Sequence, residues 1–150
     1  MRPQPEGGAP LRQEAETAHD QAHVRDFAQS YTEAWCSHDP ARVADHYALG
    51  GTIAINGGEP TEITDVAHSF IDTFPDIQVF MDDVVFKDEM VELHWTFTGT
   101  NTGPGGTGKW VRISGFEEWT FGDDGLVAES KGHYDQAEYD RQLQQGAPRL

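Results

Sequence analysis

The stretch Lys109–Asp135, KWVRISGFEEWTFGDDGLVAESKGHYD, decides how this chain folds. Two strand-like runs flank the turn Asp123-Asp124-Gly125, the pattern of a long antiparallel hairpin. Alternation along the first run sets Val111, Ile113, Gly115, Glu117, Trp119 and Phe121 on one face, with Arg112, Ser114, Phe116, Glu118 and Thr120 on the other. On the returning run Val127, Glu129, Lys131, His133 and Asp135 share a face, against Ala128, Ser130, Gly132 and Tyr134. Asp135, followed by Gln136, stands before a helical tail, AEYDRQL. A carboxylate at that junction is placed equally well for a general base and for a helix cap. Glu117, a carboxylate on an apolar face, needs a partner such as Lys131 or a polar cavity, because burying an unpaired charge is costly.

Outward from the hairpin, the preceding chain supplies more strands and then helices. Met90–Thr102 alternates cleanly, with Val91, Leu93, Trp95 and Phe97 opposite Glu92, His94, Thr96 and Thr98. Ile77–Lys87 alternates too. The loop Gly103–Gly108 is rich in glycine, but it joins two strands and lacks the Lys-Ser/Thr ending of a phosphate cradle. Upstream, Thr17–Ser37 carries a helical stripe of Val24, Phe27, Ala28, Tyr31 and Trp35. Asp39-Pro40 starts a second helix expected to reach about Ala48, and Thr52–Asn56 reads as a short strand. A third helix, with Thr61 as its cap, carries Ile63, Val66, Ala67, Phe70, Ile71 and Phe74 and stops at Pro75. Helices first and long antiparallel strands afterwards mean an α+β fold, in which a curled sheet with helices on one face encloses a cavity. Residues 1–16 are expected to form a flexible tail, 17–145 a single domain and 146–150 a flexible end.

Composition narrows the partners. The formal charge of −16, from 10 basic and 26 acidic residues, repels nucleic acid and anionic membrane surfaces. No apolar stretch approaches the roughly 20 residues of a membrane span, and no hydrophobic segment follows Arg2, so a cytoplasmic location is expected. The single cysteine, Cys36, excludes an internal disulfide and a multi-cysteine zinc site. His19 and His23 have a spacing that can grip zinc, but they lie in a charged helix start, and no metal site is assigned.

Four segments bear a resemblance to a known family. Trp35-Cys36-Ser37-His38-Asp39, with the following helix and Tyr47, resembles the first motif of the SnoaL-like proteins of the nuclear-transport-factor-2-like superfamily. His94–Gly103, HWTFTGTNTG, resembles that family's strand ending in a GTHTG-like sequence. Asp124–Glu129 resembles its DGKIVEHW turn and strand, and Asp135 with Arg141-Gln142-Leu143 resembles its terminal aspartate and QLG. Together they cover about Ala28–Leu143. The resemblance implies a cone, a curved antiparallel sheet packed on three N-terminal helices, dimerising through the outer sheet face. In the family's cyclases, the aspartate that Asp135 matches removes a carbon-bound proton without any cofactor. This chain departs from the pattern at Asn101, where many members have histidine, and at Lys131, where a large apolar residue is usual. Lys109–Phe121 also lacks the cyclases' histidine.

The expectation is therefore a SnoaL-like homodimer with an apolar pocket for a small hydrophobic molecule. One reading is a cofactor-free cyclase, isomerase or epoxide-hydrolase-like enzyme, with Asp135 as base and His133 tuning it. Asn101 and Glu117 would hold a carbonyl or hydroxyl, and Trp119, Tyr31 and Trp35 would line the site. The other reading is a non-catalytic ligand-binding or scaffold protein of the same fold.

Overall fold

The computed structural model describes the backbone of residues 8–149 and the side chains of residues 21–149. The expected tail therefore lies outside the described residues over positions 1–7, and the His19–His23 pair lies outside them at His19. The first helix, α1 (Gly8–Cys36), runs well upstream of Thr17. It buries Ala28, Tyr31, Ala34 and Trp35, with Val24 and Phe27 packed beside them. Helix α2 (Pro40–Ala44) has Asp39 as its N-cap, whose Oδ1 accepts from the Ala41 amide at 3.0 Å. It is shorter than expected, because the chain turns into strand β1 (Tyr47–Ile55).

A two-residue strand, β2 (Thr61–Glu62), pairs with β1 and precedes α3 (Ile63–Thr73). Thr61 is not the cap of α3. Glu62 holds that position with no side-chain bond, and the Thr61 hydroxyl donates to the Glu59 carbonyl. Strands β3 (Gln78–Lys87), β4 (Met90–Thr100), β5 (Trp110–Phe121) and β6 (Val127–Tyr134) follow, and α4 (Gln136–Gln145) closes the fold.

The sheet order is β2-β1-β6-β5-β4-β3. Pairing is antiparallel except between β1 and β6, which run parallel. Register shifts in the β1–β6, β3–β4 and β5–β6 pairs mark irregularities of the kind that bend a strand and increase its twist. The inner face carries Leu93, Trp95, Phe97, Val111, Ile113 and Trp119 into a core shared with the helices.

The last of those shifts decides the orientation of β6. Gly115, Glu117 and Trp119 stand opposite Tyr134, Gly132 and Ser130, so those three residues of β6 face inward. Val127, fully buried, is paired with Phe121 beyond the shift. Counting alternation from Val127 therefore assigns Glu129, Lys131 and His133 to the wrong side.

A buried carboxylate under the sheet

The inward face of β5 holds Glu117, which is 6% exposed although it carries a carboxylate. Its Oε1 is the focus of four donors. Ser130 Oγ donates at 2.8 Å and Trp119 Nε1 at 2.9 Å. The hydroxyls of Tyr31 and Tyr47 lie farther off, at 3.1 and 3.4 Å, and their own oxygens are 3.2 Å apart. A carboxylate oxygen has about two lone-pair sites, so Ser130 and Trp119 take the better geometry. Oε2 has a single longer contact, Tyr31 Oη at 3.3 Å. One oxygen is anchored and the other is nearly free.

Burial raises the pKa of Glu117 above the ordinary carboxylate value, and the four donors pull against that rise without cancelling it. Burial, and then the charge of Glu117, raise Tyr31 and Tyr47 well above the ordinary phenol value, so both remain neutral donors.

Glu117 lines a cavity of about 50 Å³ between sheet and helices. Its walls are otherwise almost wholly apolar. Aromatic rings come from Tyr31 and Trp35 of α1, Phe70 of α3, Trp95 and Phe97 of β4 and Tyr134 of β6. Ile53, Ile55, Val66, Ile77 and Val79 complete them. The helical stripe of α1 delivers Tyr31 and Trp35, one turn apart, α3 delivers Val66 and Phe70 in the same way, Ile77 comes from the turn before β3, and strand alternation delivers the others. Since a water needs roughly 10–15 Å³ of such space, the cavity has room for a few waters or one small molecule.

The residues expected to form the site are dispersed. Tyr31, Trp35 and Glu117 meet in the cavity. Trp119 lies behind Glu117, fully buried, and orients it without lining the cavity. Asp135 is corrected from base to helix cap: it is exposed, and its Oδ1 accepts from the Glu138 amide at 3.0 Å. His133 does not tune it. Its Nε2 lies 2.7 Å from Glu118 Oε1, and its ring stacks on Phe116 at 4.8 Å, on the outer face of the sheet.

Asn101 is buried away from the cavity, where its Nδ2 donates to Thr107 Oγ1 at 3.2 Å and its backbone pairs with Gly108 and Lys109. It closes the glycine-rich loop. Lys131 is exposed opposite Glu118 and is no partner for Glu117, and Arg141 pairs with Glu138 at 2.6 Å, not with Asp135. Sequence reasoning missed Tyr47, Ser130, Trp95 and Tyr134. For the two on β6, a small residue and an aromatic at two-residue spacing from Gly132 was the available signal. Among the described residues no three His, Cys, Asp or Glu side chains are grouped to hold a metal, and no helix is long and apolar enough to cross a membrane.

Comparison with known proteins agrees with this architecture. The family profile of the SnoaL-like polyketide cyclases matches residues 25–143. No curated protein matches the chain. Among solved structures, AclR from Streptomyces galilaeus, a proposed hydroxylase, is similar with a TM-score of 0.69 at 20% identity, over 86% of this chain and 85% of its own. A protein of ketosteroid isomerase-like fold from Catenulispora acidiphila, in complex with trimethylamine, gives 0.67 at 12% identity, over 81% and 97%. SalBIII, an epoxide hydrolase/cyclase-like enzyme with a role in pyran ring formation in the polyether salinomycin, gives 0.68 at 12%, over 79% and 95%. At these identities the likeness is one of fold.

Proposed function

Because the chain belongs to the SnoaL-like polyketide cyclase family, we propose that it is a cofactor-free enzyme in which Glu117 removes a carbon-bound proton from a small, largely apolar substrate. The observation that carries this reading is the asymmetry of the carboxylate. Oε1 is fixed by Trp119 and Ser130, while Oε2 has only the 3.3 Å contact to Tyr31, on a residue that lines the apolar cavity. A general base works best with a pKa near the operating pH, and burial moves Glu117 in that direction. The reaction class is proton abstraction beside an electron-withdrawing group, leading to isomerisation or ring closure. A cavity of about 50 Å³ favours a substrate much smaller than the drug-sized ligands of pockets of roughly 300–1,000 Å³.

The test uses cyclopentanone in D2O, with exchange of its α-protons followed by NMR. Glu117→Gln should lower the protein-catalysed exchange by about 100-fold or more, the usual contribution of general acid–base catalysis. An unchanged rate in that variant contradicts the reading.

A second reading, a non-catalytic binder, is favoured by a different observation. Six aromatic side chains surround one carboxylate, an arrangement suited to a small alkylammonium ion held by cation–π contacts and an ionised Glu117. The Catenulispora protein is in complex with trimethylamine. Calorimetric titration with trimethylammonium chloride separates the two: tight binding that Glu117→Gln abolishes, without catalysed exchange, supports the binder.

The homodimer belongs to the same proposal. Its support is the outer sheet face, where His94, Phe116 and His133 form a continuous stack and Phe80 is half exposed. Light scattering should give twice the 16.7 kDa chain mass, and a monomer mass contradicts it.

A further inference from the structure

A second constellation of side chains stands at the surface, where α1 meets the chain leading into β1. Ser30 of α1 and His46, between α2 and β1, join through Oγ and Nε2 at 2.9 Å. The other ring nitrogen of His46, Nδ1, lies 2.9 Å from the backbone oxygen of Arg42. A carbonyl can only accept, so Nδ1 carries the proton, and the neutral ring leaves Nε2 as an acceptor. The Ser30 hydroxyl therefore donates to His46.

His46 is held in this position from several sides. Its amide donates to the Val43 carbonyl at 3.1 Å, and its own carbonyl accepts from the Val127 amide at 3.0 Å. The rings of Phe27 and Tyr31 meet the imidazole edge-on, with centroids at 5.1 and 5.6 Å. Ser30 is exposed while His46 is half-buried, so the hydroxyl is open to an incoming reagent and its base is fixed behind it. A hydroxyl, a base within hydrogen-bond reach and a third group orienting that base together mark an activated nucleophile. The Arg42 carbonyl here takes the orienting part that a carboxylate plays in a Ser-His-Asp triad.

We propose that Ser30 is a nucleophile activated by His46, and that it accepts an acyl group from a small ester or thioester carrying no negative charge. This site does not depend on the reading of Glu117 as base. In the step, Ser30 Oγ bonds to the acyl carbon as its proton passes to His46 Nε2. The bond from that carbon to the leaving oxygen or sulfur breaks, and the leaving group takes the proton from Nε2. The products are an O-acyl serine and a free alcohol or thiol, with His46 neutral again. Exposed carboxylates set the charge of the donor. Asp26 and Glu33 stand one turn before and after Ser30 on α1, and Asp45 adjoins His46. Ser30 also lies inside α1, where its own amide is committed to the helix and does not serve an oxyanion. The expected outcome is therefore a single slow acylation that leaves the serine modified, without turnover.

The test incubates the full chain with p-nitrophenyl acetate and locates the acetyl group by peptide mass spectrometry, with acetyl phosphate as the anionic donor. Ser69, likewise exposed on a helix, has no side-chain bond to a histidine among the described residues and serves as the internal control. p-Nitrophenyl acetate should acetylate Ser30 and spare Ser69, and acetyl phosphate should leave Ser30 unmodified. His46→Gln should slow acetylation of Ser30 by about 100-fold or more, the scale of general-base assistance. Absence of an acetyl group on Ser30, or equal modification of Ser69, overturns the inference, and that result needs only the wild-type chain if the variant fails to fold. Acetylation of Ser30 at the wild-type rate in His46→Gln overturns it as well. Equal modification of Ser30 by acetyl phosphate overturns the assigned class of donor.

Discussion

The indole nitrogen of Trp119 lies 2.9 Å from Oε1 of Glu117, two residues back on the same face of the same strand. A strand repeats its facing every second residue, so this contact is built into β5 and needs no loop to form it. It makes the carboxylate a fixed group, with one oxygen committed and the other available. Trp119→Phe should keep most of the packing and lose the donor, at a cost of about 1.5–3 kcal/mol, the range for a hydrogen bond to a charged group. It should also raise the Glu117 pKa further, since that bond is the largest of the lowering influences. Urea unfolding and 13C NMR titration of labelled glutamate carboxyls read the two effects separately.

Stability should depend on pH through Glu117 in a direction unusual for a carboxylate. Burial, opposed by the donors, leaves its pKa in the folded protein above the ordinary value of 4.5. The native state thus holds the proton more tightly than the unfolded chain. The contribution to stability is complete below about 4.5 and declines as pH rises through the native value. Glu117→Gln keeps an acceptor for Trp119 and Ser130 but never ionises. The variant should gain on the wild type in unfolding free energy as pH increases over that window, and a difference that shrinks instead contradicts the assignment.

Asp135 should behave as a cap and nothing more. Its Oδ1 satisfies the Glu138 amide at the start of α4. Asp135→Ala should cost about 1 kcal/mol in unfolding free energy, as removal of such caps does. Ligand binding and α-proton exchange should be unaltered.

The sequence made the fold legible because its signals were long and periodic. The stripe on α1, the alternation of β4 and β5, and the Asp39-Pro40 helix start each correspond to an element of the structure. The site was harder to read for two physical reasons. The irregularity near Thr120–Phe121 shifts the facing of β6, so Val127 gave a misleading starting point and Ser130 and Tyr134 were set on the wrong side. A strand-end aspartate before a helix also satisfies two rules at once, and only three-dimensional placement separates a cap from a base. Glu117 was visible as a carboxylate on an apolar face. Its partners were not, because Tyr31 and Tyr47 reach it from 86 and 70 residues away in the chain.

The most direct test of Glu117 as the reactive group is the pH profile of cyclopentanone α-proton exchange in wild type, Glu117→Gln and Asp135→Asn. The account predicts a wild-type rate that rises with pH through the raised pKa of one carboxyl group and then levels. Asp135→Asn should keep that profile, and Glu117→Gln should be flat and at least about 100-fold lower. A titrating profile that persists in Glu117→Gln and disappears in Asp135→Asn would contradict it.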